Sequence, residues 1–385
     1  MSKILARSPY WINATATDLI NASIELWIYS GLTILDRPNT PSYTITSTVT
    51  DTPNTVYWDI SDLVKDFIDT KHYNNAEDRA AVWVDYRITT ITETGTTVGT
   101  IQTGDYAVYG YSYYEEGYNF TSLNGCLIDN DIIYKLEDND VSIPLARKLF
   151  KDISFFNGDE LVHSVVNDIP SDWNDTDEQI EYFGISGTSP NLYSNFEQRI
   201  YYKGGTFETN KCIEAFLDEE EIYPVTKVVI SSYDSSVPLR TIIVENISEC
   251  KYTPYKIIFR NKYGAKQELW FFKASRLSME VEREQYQGNT IKDYRAGNIS
   301  SHRNVDFYTT SKETLTINSG FVPEEFNEVF KQLMLSEQVW IDYKQQILPI
   351  NVSNKTIDYK TKLNNKLINY TIDVEFSFNT TNNVR

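Results

Sequence analysis

The densest run of coherent apolar and polar patterning goes from Cys250 to Phe272, reading C-K-Y-T-P-Y-K-I-I-F-R-N-K-Y-G-A-K-Q-E-L-W-F-F, and it predicts the central β-hairpin of the chain. Pro254 suits the opening of a strand and not its interior. Tyr255, Ile257 and Phe259 alternate with Lys256, Ile258 and Arg260, which is strand periodicity, and the run breaks at Asn261-Lys262-Tyr263-Gly264. Gly264 is the natural positive-φ residue of that loop. Ala265, Gln267, Leu269 and Phe271 then share one face and Lys266, Glu268, Trp270 and Phe272 the other, so the second strand is partly apolar on both sides. That predicts cover on both faces, inside a sandwich or at a subunit contact. Leu277, Met279 and Val281, alternating with Ser278, Glu280 and Glu282, predict a third strand.

The same pattern organises the N-terminal part, read as an antiparallel β domain over 1–120 with one short helix. Glu25 to Ser30 is a strand ending at Gly31, and the Pro-rich R37-P-N-T-P-S-Y leads into a polar surface strand from Tyr43 to Val49. Val56-Tyr57-Trp58 enters a helix in which Ile60, Leu63, Val64, Phe67 and Ile68 recur on one face, with Ser61 as its cap and Asp62 in the first turn. Val82, Val84, Tyr86 and Ile88 line one side of a further strand. A Tyr-rich ribbon at 106–118 follows, and it invites a sugar-binding reading through Tyr113, Tyr114, Glu115 and Glu116. Neighbours on a strand point to opposite faces, so the two carboxylates do not converge on one glycosidic bond, and cross-strand aromatic packing or a subunit contact is the alternative use.

A central β domain with acidic loops is expected over 121–285. It holds a hairpin, Ile153 to Val166, turning at Asn157-Gly158 and carrying His163 as a structural histidine. Residues 167–195 read as an acidic loop. Asp172, Asn174, Asp175, Asp177 and Glu178 offer oxygen ligands, but the spacing departs from the calcium loop of an EF-hand and lacks its glycine. Asp218 to Glu221 reads as a solvated loop before strands at Val225 to Ile230 and Arg240 to Glu245. The last part, 286–385, holds an alternating stretch from Val305 to Asn318 and a helix over 323–336 with Pro323, Glu324 and Glu325 in its first turn. Phe326, Val329, Phe330, Leu333 and Met334 form the apolar face of that helix. Strands follow at Val339 to Tyr343 and Ile347 to Val352. The cleanest alternation closes the chain, with Tyr370, Ile372, Val374, Phe376 and Phe378 on one side, and such a strand is expected to be paired.

Composition agrees with strands. The 385 residues include 28 Tyr, 18 Phe and 7 Trp, and the fold class expected is mainly β, two or three antiparallel β-sandwich-like domains with a few short helices. The net charge of −19 is uneven: −6 over 1–114, −16 over 115–222, −1 over 223–250 and +4 over 251–385. An acidic middle repels a nucleic-acid backbone and argues against sequence-specific DNA binding; it serves solubility or faces the lumen of a DNA conduit. Cys126, Cys212 and Cys250 are too scattered for a disulfide framework or a metal knuckle and are expected to be reduced and buried. No stretch reads as a signal peptide or a membrane span, so no membrane partner and synthesis in a host cytoplasm are expected.

Catalytic signatures are missing from the sequence: there is no phosphate loop, no dinucleotide fingerprint, no H-E-x-x-H and no G-x-S-x-G. His72, His163 and His302 lie far apart. A carboxylate-only depolymerase would often carry the short repeats of a β-helix, and no such period is present. The expectation is a protein that is no enzyme and has no catalytic, metal or cofactor residues and no cofactors.

Three stretches carry a resemblance: Y252-T-P to L-W-F-F272, R7-S-P-Y-W-I, and N318-S-G-F-V-P-E to L-M-L-S-E-Q-V-W-I. Together they resemble tail-associated structural proteins of tailed phages infecting Bacteroidota, including the crAss-like podoviruses. The resemblance implies a virion protein, a tail ring or hub component near the portal or on the tail axis, assembled as a homo-oligomeric ring with portal and other tail proteins as partners. DNA would pass through the assembly. The interface candidates are Tyr263, Trp270 and Phe272 of the hairpin, Tyr113 and Tyr114 of the ribbon, and Trp173 of the acidic loop. The alternative is a receptor- or glycan-binding tail appendage that uses the surface at 106–118.

Overall fold

The computed structural model describes residues 3–29, 37–49, 54–68, 81–119, 128–137, 242–288, 302–356 and 367–380, together with strand backbone at 142–144, 153–157, 160–163, 178–185, 195–202, 212–214, 227–232, 238–241, 291–292 and 295–296. The first third gives β1 (Lys3–Leu5), β2 (Trp11–Thr15), β3 (Leu19–Tyr29), β4 (Tyr43–Thr48), β5 (Thr55–Asp59), α1 (Ser61–Lys65), β6 (Ala81–Thr92), β7 (Gly95–Val98) and β8 (Gln102–Val108). The middle gives β9 (Ile132–Leu136), β10 (Ser142–Pro144), β11 (Ile153–Asn157), β12 (Glu160–His163), β13 (Glu178–Ile185), β14 (Asn195–Tyr202), β15 (Cys212–Glu214), β16 (Lys227–Ser232) and β17 (Pro238–Ile247). Then come β18 (Tyr255–Arg260), β19 (Lys266–Phe271), β20 (Arg276–Gln287), β21 (Ile291–Lys292), β22 (Arg295–Ala296), β23 (Asn304–Pro323), α2 (Phe326–Leu335), β24 (Val339–Tyr343), β25 (Gln346–Val352) and β26 (Leu367–Phe376). The fold is mainly β, as the alternation and the aromatic content predict.

The chain divides into two compact units of interleaved stretches: Met1–Ser248, Ile258–Leu269 and Glu325–Ser336 form one, and Glu249–Ile257, Trp270–Glu324 and Glu337–Arg385 the other. The first unit contains a sheet of order β1-β8-β6-β3-β4, with β7 on β6. Its buried face (Ile24, Leu26, Val82, Val84) meets Ile12 and Ala14 of β2, Val56 and Trp58 of β5, and Ile60 and Val64 around α1. Because β2 and β5 pair with each other, this is one β-layer packed on another, a sandwich-like arrangement. Leu5, Trp27, Tyr29, Trp83 and Val108 form a smaller cluster of their own. A five-stranded sheet of order β12-β11-β16-β17-β9 follows the chain's middle. Two pairings, β1 with β8 and β17 with β9, are parallel, joining strands with other elements between them in sequence.

The second unit contains the strands that run β24-β25-β26-β23-β20 in the order of a seven-stranded sheet whose other two strands are β18 and β19; the chain leaves this unit at Ile258 and returns at Trp270. The closing strand is paired on both sides, β26 lying between β25 and β23, and it buries Tyr370, Ile372, Val374 and Phe376. The expected hairpin is present as β18 and β19, and Gly264 has φ +78° at its turn. Trp270 and Phe272, stacked with ring centroids 6.1 Å apart, are buried on one face of the β19 stretch and Leu269 and Phe271 on the other, so the cover on both faces comes from this chain.

Several local expectations are corrected. Val56 to Trp58 belong to a strand, and α1 starts after it with Ile60 as its N-cap. The capping group is the Asp59 carboxylate, which accepts from the Ser61 amide at 3.0 Å and the Ser61 hydroxyl at 2.7 Å. The strand of the Tyr-rich ribbon ends at Val108; Tyr114–Glu116 is a 3-10 turn, so the opposite-face argument about Glu115 and Glu116 does not apply there. Glu178–Ile185, expected within a loop, is a strand paired with Asn195–Tyr202. Pro323 ends β23 and α2 begins at Phe326. Cys250 is exposed. In the 153–166 hairpin Asn157 pairs with Glu160. Gly31, His72, Cys126, Trp173, the oxygen-bearing residues 172–177 and the acidic run 218–221 lie outside the described residues.

Ile372 sits at the centre of the doubly paired strand and is 3 % exposed, whereas Phe378 beyond the strand end is 47 % exposed. Ile372→Ala is expected to cost about 2–5 kcal/mol in denaturant unfolding and Phe378→Ala no more than about 0.5 kcal/mol. Equal losses at the two positions would contradict the assigned register.

Candidate functional site

Among the described residues of the first unit, a dense group of polar side chains gathers around the hairpin tip between β18 and β19. Two backbones approach there. Gly264 has no room for a side chain, since a Cβ would stand 2.8 Å from the Tyr109 carbonyl carbon, and one on Gly110 would stand 2.7 Å from the Lys262 carbonyl oxygen. The Tyr111 amide donates to that same oxygen at 2.8 Å. Inside the tip, the Asn261 side-chain oxygen accepts from the amides of Tyr263 (3.0 Å) and Ala265 (3.1 Å) and its nitrogen donates to Gln267 at 3.1 Å. Gln267 in turn donates to Asn130 at 3.0 Å.

Lys262 follows from this approach. Its side chain is 7 % exposed and pairs with Glu116, and its ammonium lies 4.7 Å from the ring centroid of Tyr113 and 5.5 Å from that of Tyr263. Its amide donates to the Gln332 side chain on α2 at 3.1 Å. Gln332, 1 % exposed, donates to Asp129 and, at 3.1 Å, to Glu328. Asp129 also accepts from the Tyr263 hydroxyl at 2.5 Å. The Tyr113 hydroxyl donates to Glu328 at 2.5 Å, its amide donates to Glu116 at 2.7 Å, and Lys331 stands 3.3 Å from its ring centroid. Arg7 lies 4.9 Å over the Tyr111 ring and donates to the Leu335 carbonyl at 3.4 Å, at the C-terminal end of α2 where a cation is favoured.

The structure therefore brings together Tyr113 and Tyr263 of the expected interface residues. Tyr114 stays apart at 94 % exposed, and Trp270 and Phe272 are buried elsewhere. Arg7, the hairpin tip and α2 belong to the three separated stretches noted in the sequence, and within this unit they meet in one place. Lys262, Gln332, Asn130, Asp129 and Glu328 were not marked by the sequence. A lysine in a turn reads as solvated, and only the Glu328–Gln332 spacing of one helical turn hinted at a shared face.

The acidic side chains of the cluster are engaged by several partners at once. Asp129, Glu328 and Glu116 each accept from at least two donors or cations. Burial, then the bond to Glu328, holds the Tyr113 phenol far above the ordinary tyrosine range, the opposite of what an activated nucleophile needs. Among the described residues, no three His, Cys, Asp or Glu side chains converge to hold a metal ion, and no helix is long and apolar enough to cross a membrane. A second feature the sequence did not mark is a set of exposed aromatics: Trp11 (39 %), Tyr57 (51 %) and Tyr118 (68 %), the first and last edge to face at 6.5 Å.

Two tyrosines two residues apart, Tyr111 and Tyr113, separate in cost. Tyr113→Phe deletes a bond to a carboxylate and is expected to destabilise by about 1–3 kcal/mol. Tyr111→Phe removes a buried hydroxyl that has no hydrogen-bond partner in geometry and is expected to be neutral or stabilising, both read by chemical denaturation. Burial pushes Tyr111 up to about 12, and burial followed by Glu245 pushes Tyr134 up to about 12. The folded state therefore holds these protons more tightly than the unfolded chain. Their stabilisation is complete below the ordinary tyrosine value and falls as pH rises toward 12. Melting points taken across that window are expected to drop less in Tyr111→Phe than in the native chain. No protein-family model, curated protein or solved structure matches this chain.

Proposed function

We propose that this chain is a non-enzymatic structural protein of a tailed-phage virion. In this reading it is a self-assembling tail ring or hub component, portal-proximal or on the tail axis, that forms a conduit for DNA and mounts other tail proteins. The observation that carries it is β20. All twelve of its residues are exposed, and they include Leu277, Met279, Val281 and Tyr286. Its partner strand adds exposed Phe307 and Tyr308. Apolar surface of this kind fits contact with further protein. The resemblance of the three stretches that meet at the hairpin tip adds the virion context.

A glycan-binding appendage is the second reading, and the exposed Trp11, Tyr57, Tyr114 and Tyr118 favour it, since open aromatic faces stack on sugars. Tyr113 does not serve it, because its hydroxyl is engaged by Glu328 and Lys331 lies over its ring.

Negative-stain imaging and mass photometry of the purified full chain are expected to give ring-shaped particles of many copies, with no retention of host capsular polysaccharide. A species that stays monomeric at every concentration removes the ring reading. Polysaccharide binding that is lost in Trp11→Ala or Tyr114→Ala replaces it with the appendage.

A further inference from the structure

Among the described residues, the strand β20 is the outer edge of the seven-stranded sheet and β23 is its one neighbour there. Natural edge strands are commonly blocked by charged side chains, lysine above all, or by proline, and the charges of β20 at Arg276, Glu280, Glu282 and Glu284 alternate away from its Leu277 face. The sequence R-L-S-M-E-V-E-R-E-Q-Y-Q contains neither lysine nor proline. Its Leu277, Met279 and Val281 share one face. Leu277 stands opposite Leu315 of β23, which stands opposite Val374 of β26. Exposure along this row is 1 % at Val374, 1 % at Leu315 and 48 % at Leu277, so a buried apolar row of the sheet runs out, uncovered, at its edge.

We propose that β20 pairs antiparallel with β20 of a second copy of this chain, about a two-fold axis at Met279. The strand is self-complementary in that register. Met279 meets its own counterpart, Leu277 lies opposite Val281, and Arg276 lies opposite Glu282, each of the last two pairings occurring twice. The apolar row then continues as Val374, Leu315, Leu277 and the second copy's Val281. Other registers are worse. A slip that centres the axis on Glu280 opposes that carboxylate to itself and sets Leu277 against Arg283, and a centre on Ser278 leaves Val281 against Ser275. A slip of half a step puts apolar faces against charged ones.

This contact is isologous, and it rests on the self-assembly part of the proposed function. A ring that uses it has dimers as its unit or consists of two rings face to face.

The test uses the full chain in a Cys250→Ser background, because Cys250 is exposed. Met279→Cys is expected to give a disulfide-linked dimer on mild oxidation, whereas Glu284→Cys, opposite Ala274 in this register, is not. In sedimentation velocity, Arg276→Glu and Glu282→Arg alone are each expected to weaken self-association by about tenfold or more, and the double exchange to restore it. All of these side chains are exposed, so the circular dichroism spectrum should not change. If particles assemble but Met279→Cys does not cross-link and the double exchange restores nothing, the two-fold contact is wrong while the assembly reading stands. A native chain that is monomeric throughout overturns both.

Discussion

Two backbones touch at the tip of the β18–β19 hairpin, and the approach leaves room for a side chain on neither Gly264 nor Gly110. Much of the first unit's polar chemistry follows from that contact. It takes the Lys262 main chain out of water, so its carbonyl accepts from Tyr111 and its amide donates to Gln332. It takes the Lys262 ammonium out of water too, and a buried cation is tolerated only with partners, here Glu116 and two aromatic rings. A buried ion pair adds little net stability over well-packed apolar side chains, yet losing one partner costs about 3–5 kcal/mol. Its value here is positional: residues around 7, 112, 130, 262 and 332 have few arrangements that satisfy every donor at once.

The strands were legible because alternation is a local property of the chain. Tyr370 to Phe376 and Val82 to Ile88 carry their register in their own side chains, and the positive φ of Gly264 follows from its place in a turn. The cluster was not legible because its burial is decided at long range. Lys262 and Glu116 are 146 positions apart, and Gln332 and Asp129 are 203 apart. Arg260 alternates in sequence like a solvent-facing residue, yet it is 2 % exposed and donates to the Gly264 carbonyl within its own turn. The Tyr-rich ribbon misled for a related reason. Beyond Val108 the backbone bonds to Arg7 and Lys262 in place of a strand neighbour, so aromatic, β-favouring residues sit in a turn. At α1 two local caps competed, and the Asp59 carboxylate reached the Ser61 amide and hydroxyl.

Acidic side chains near tyrosines invite a catalytic reading, and their bonding argues for a lock. A general base needs a lone pair free to take a proton from substrate. Glu328 accepts from Tyr113 and Gln332 and lies 3.8 Å from Lys331; Asp129 accepts from Tyr263 and Gln332. These bonds join the segment after β8, the residues before β9, the hairpin tip and α2, four stretches of one unit. Opening any of them to bind a ligand would release several buried donors together. The exposed aromatics at Trp11, Tyr57 and Tyr118 carry no such cost, which is why a ligand-binding reading belongs to that surface and not to Tyr113.

The two edges of the seven-stranded sheet are handled in opposite ways. At one, β19 has Leu269, Trp270 and Phe271 buried in succession; at the other, every residue of β20 is exposed. The exposed strand is held at its start by the apolar row through Leu315 and Val374. Further along, β26 no longer flanks β23, and the register shifts between Glu284 and Gln285, opposite Phe307. That irregularity accompanies the packing of Phe307 on Tyr286 at 6.2 Å, so the outer stretch has aromatic contact of its own. A two-stranded ribbon open on both faces is marginal in water unless something packs on it. Here the chain supports the proximal end from within, and Leu277, Met279 and Val281 stand exposed there, followed by the charged and polar run from Glu282 to Gln285. A strand whose only task was to finish the sheet would gain by being shorter or more twisted; the proposed pairing with another strand accounts for its length and for its uncovered leucine, methionine and valine.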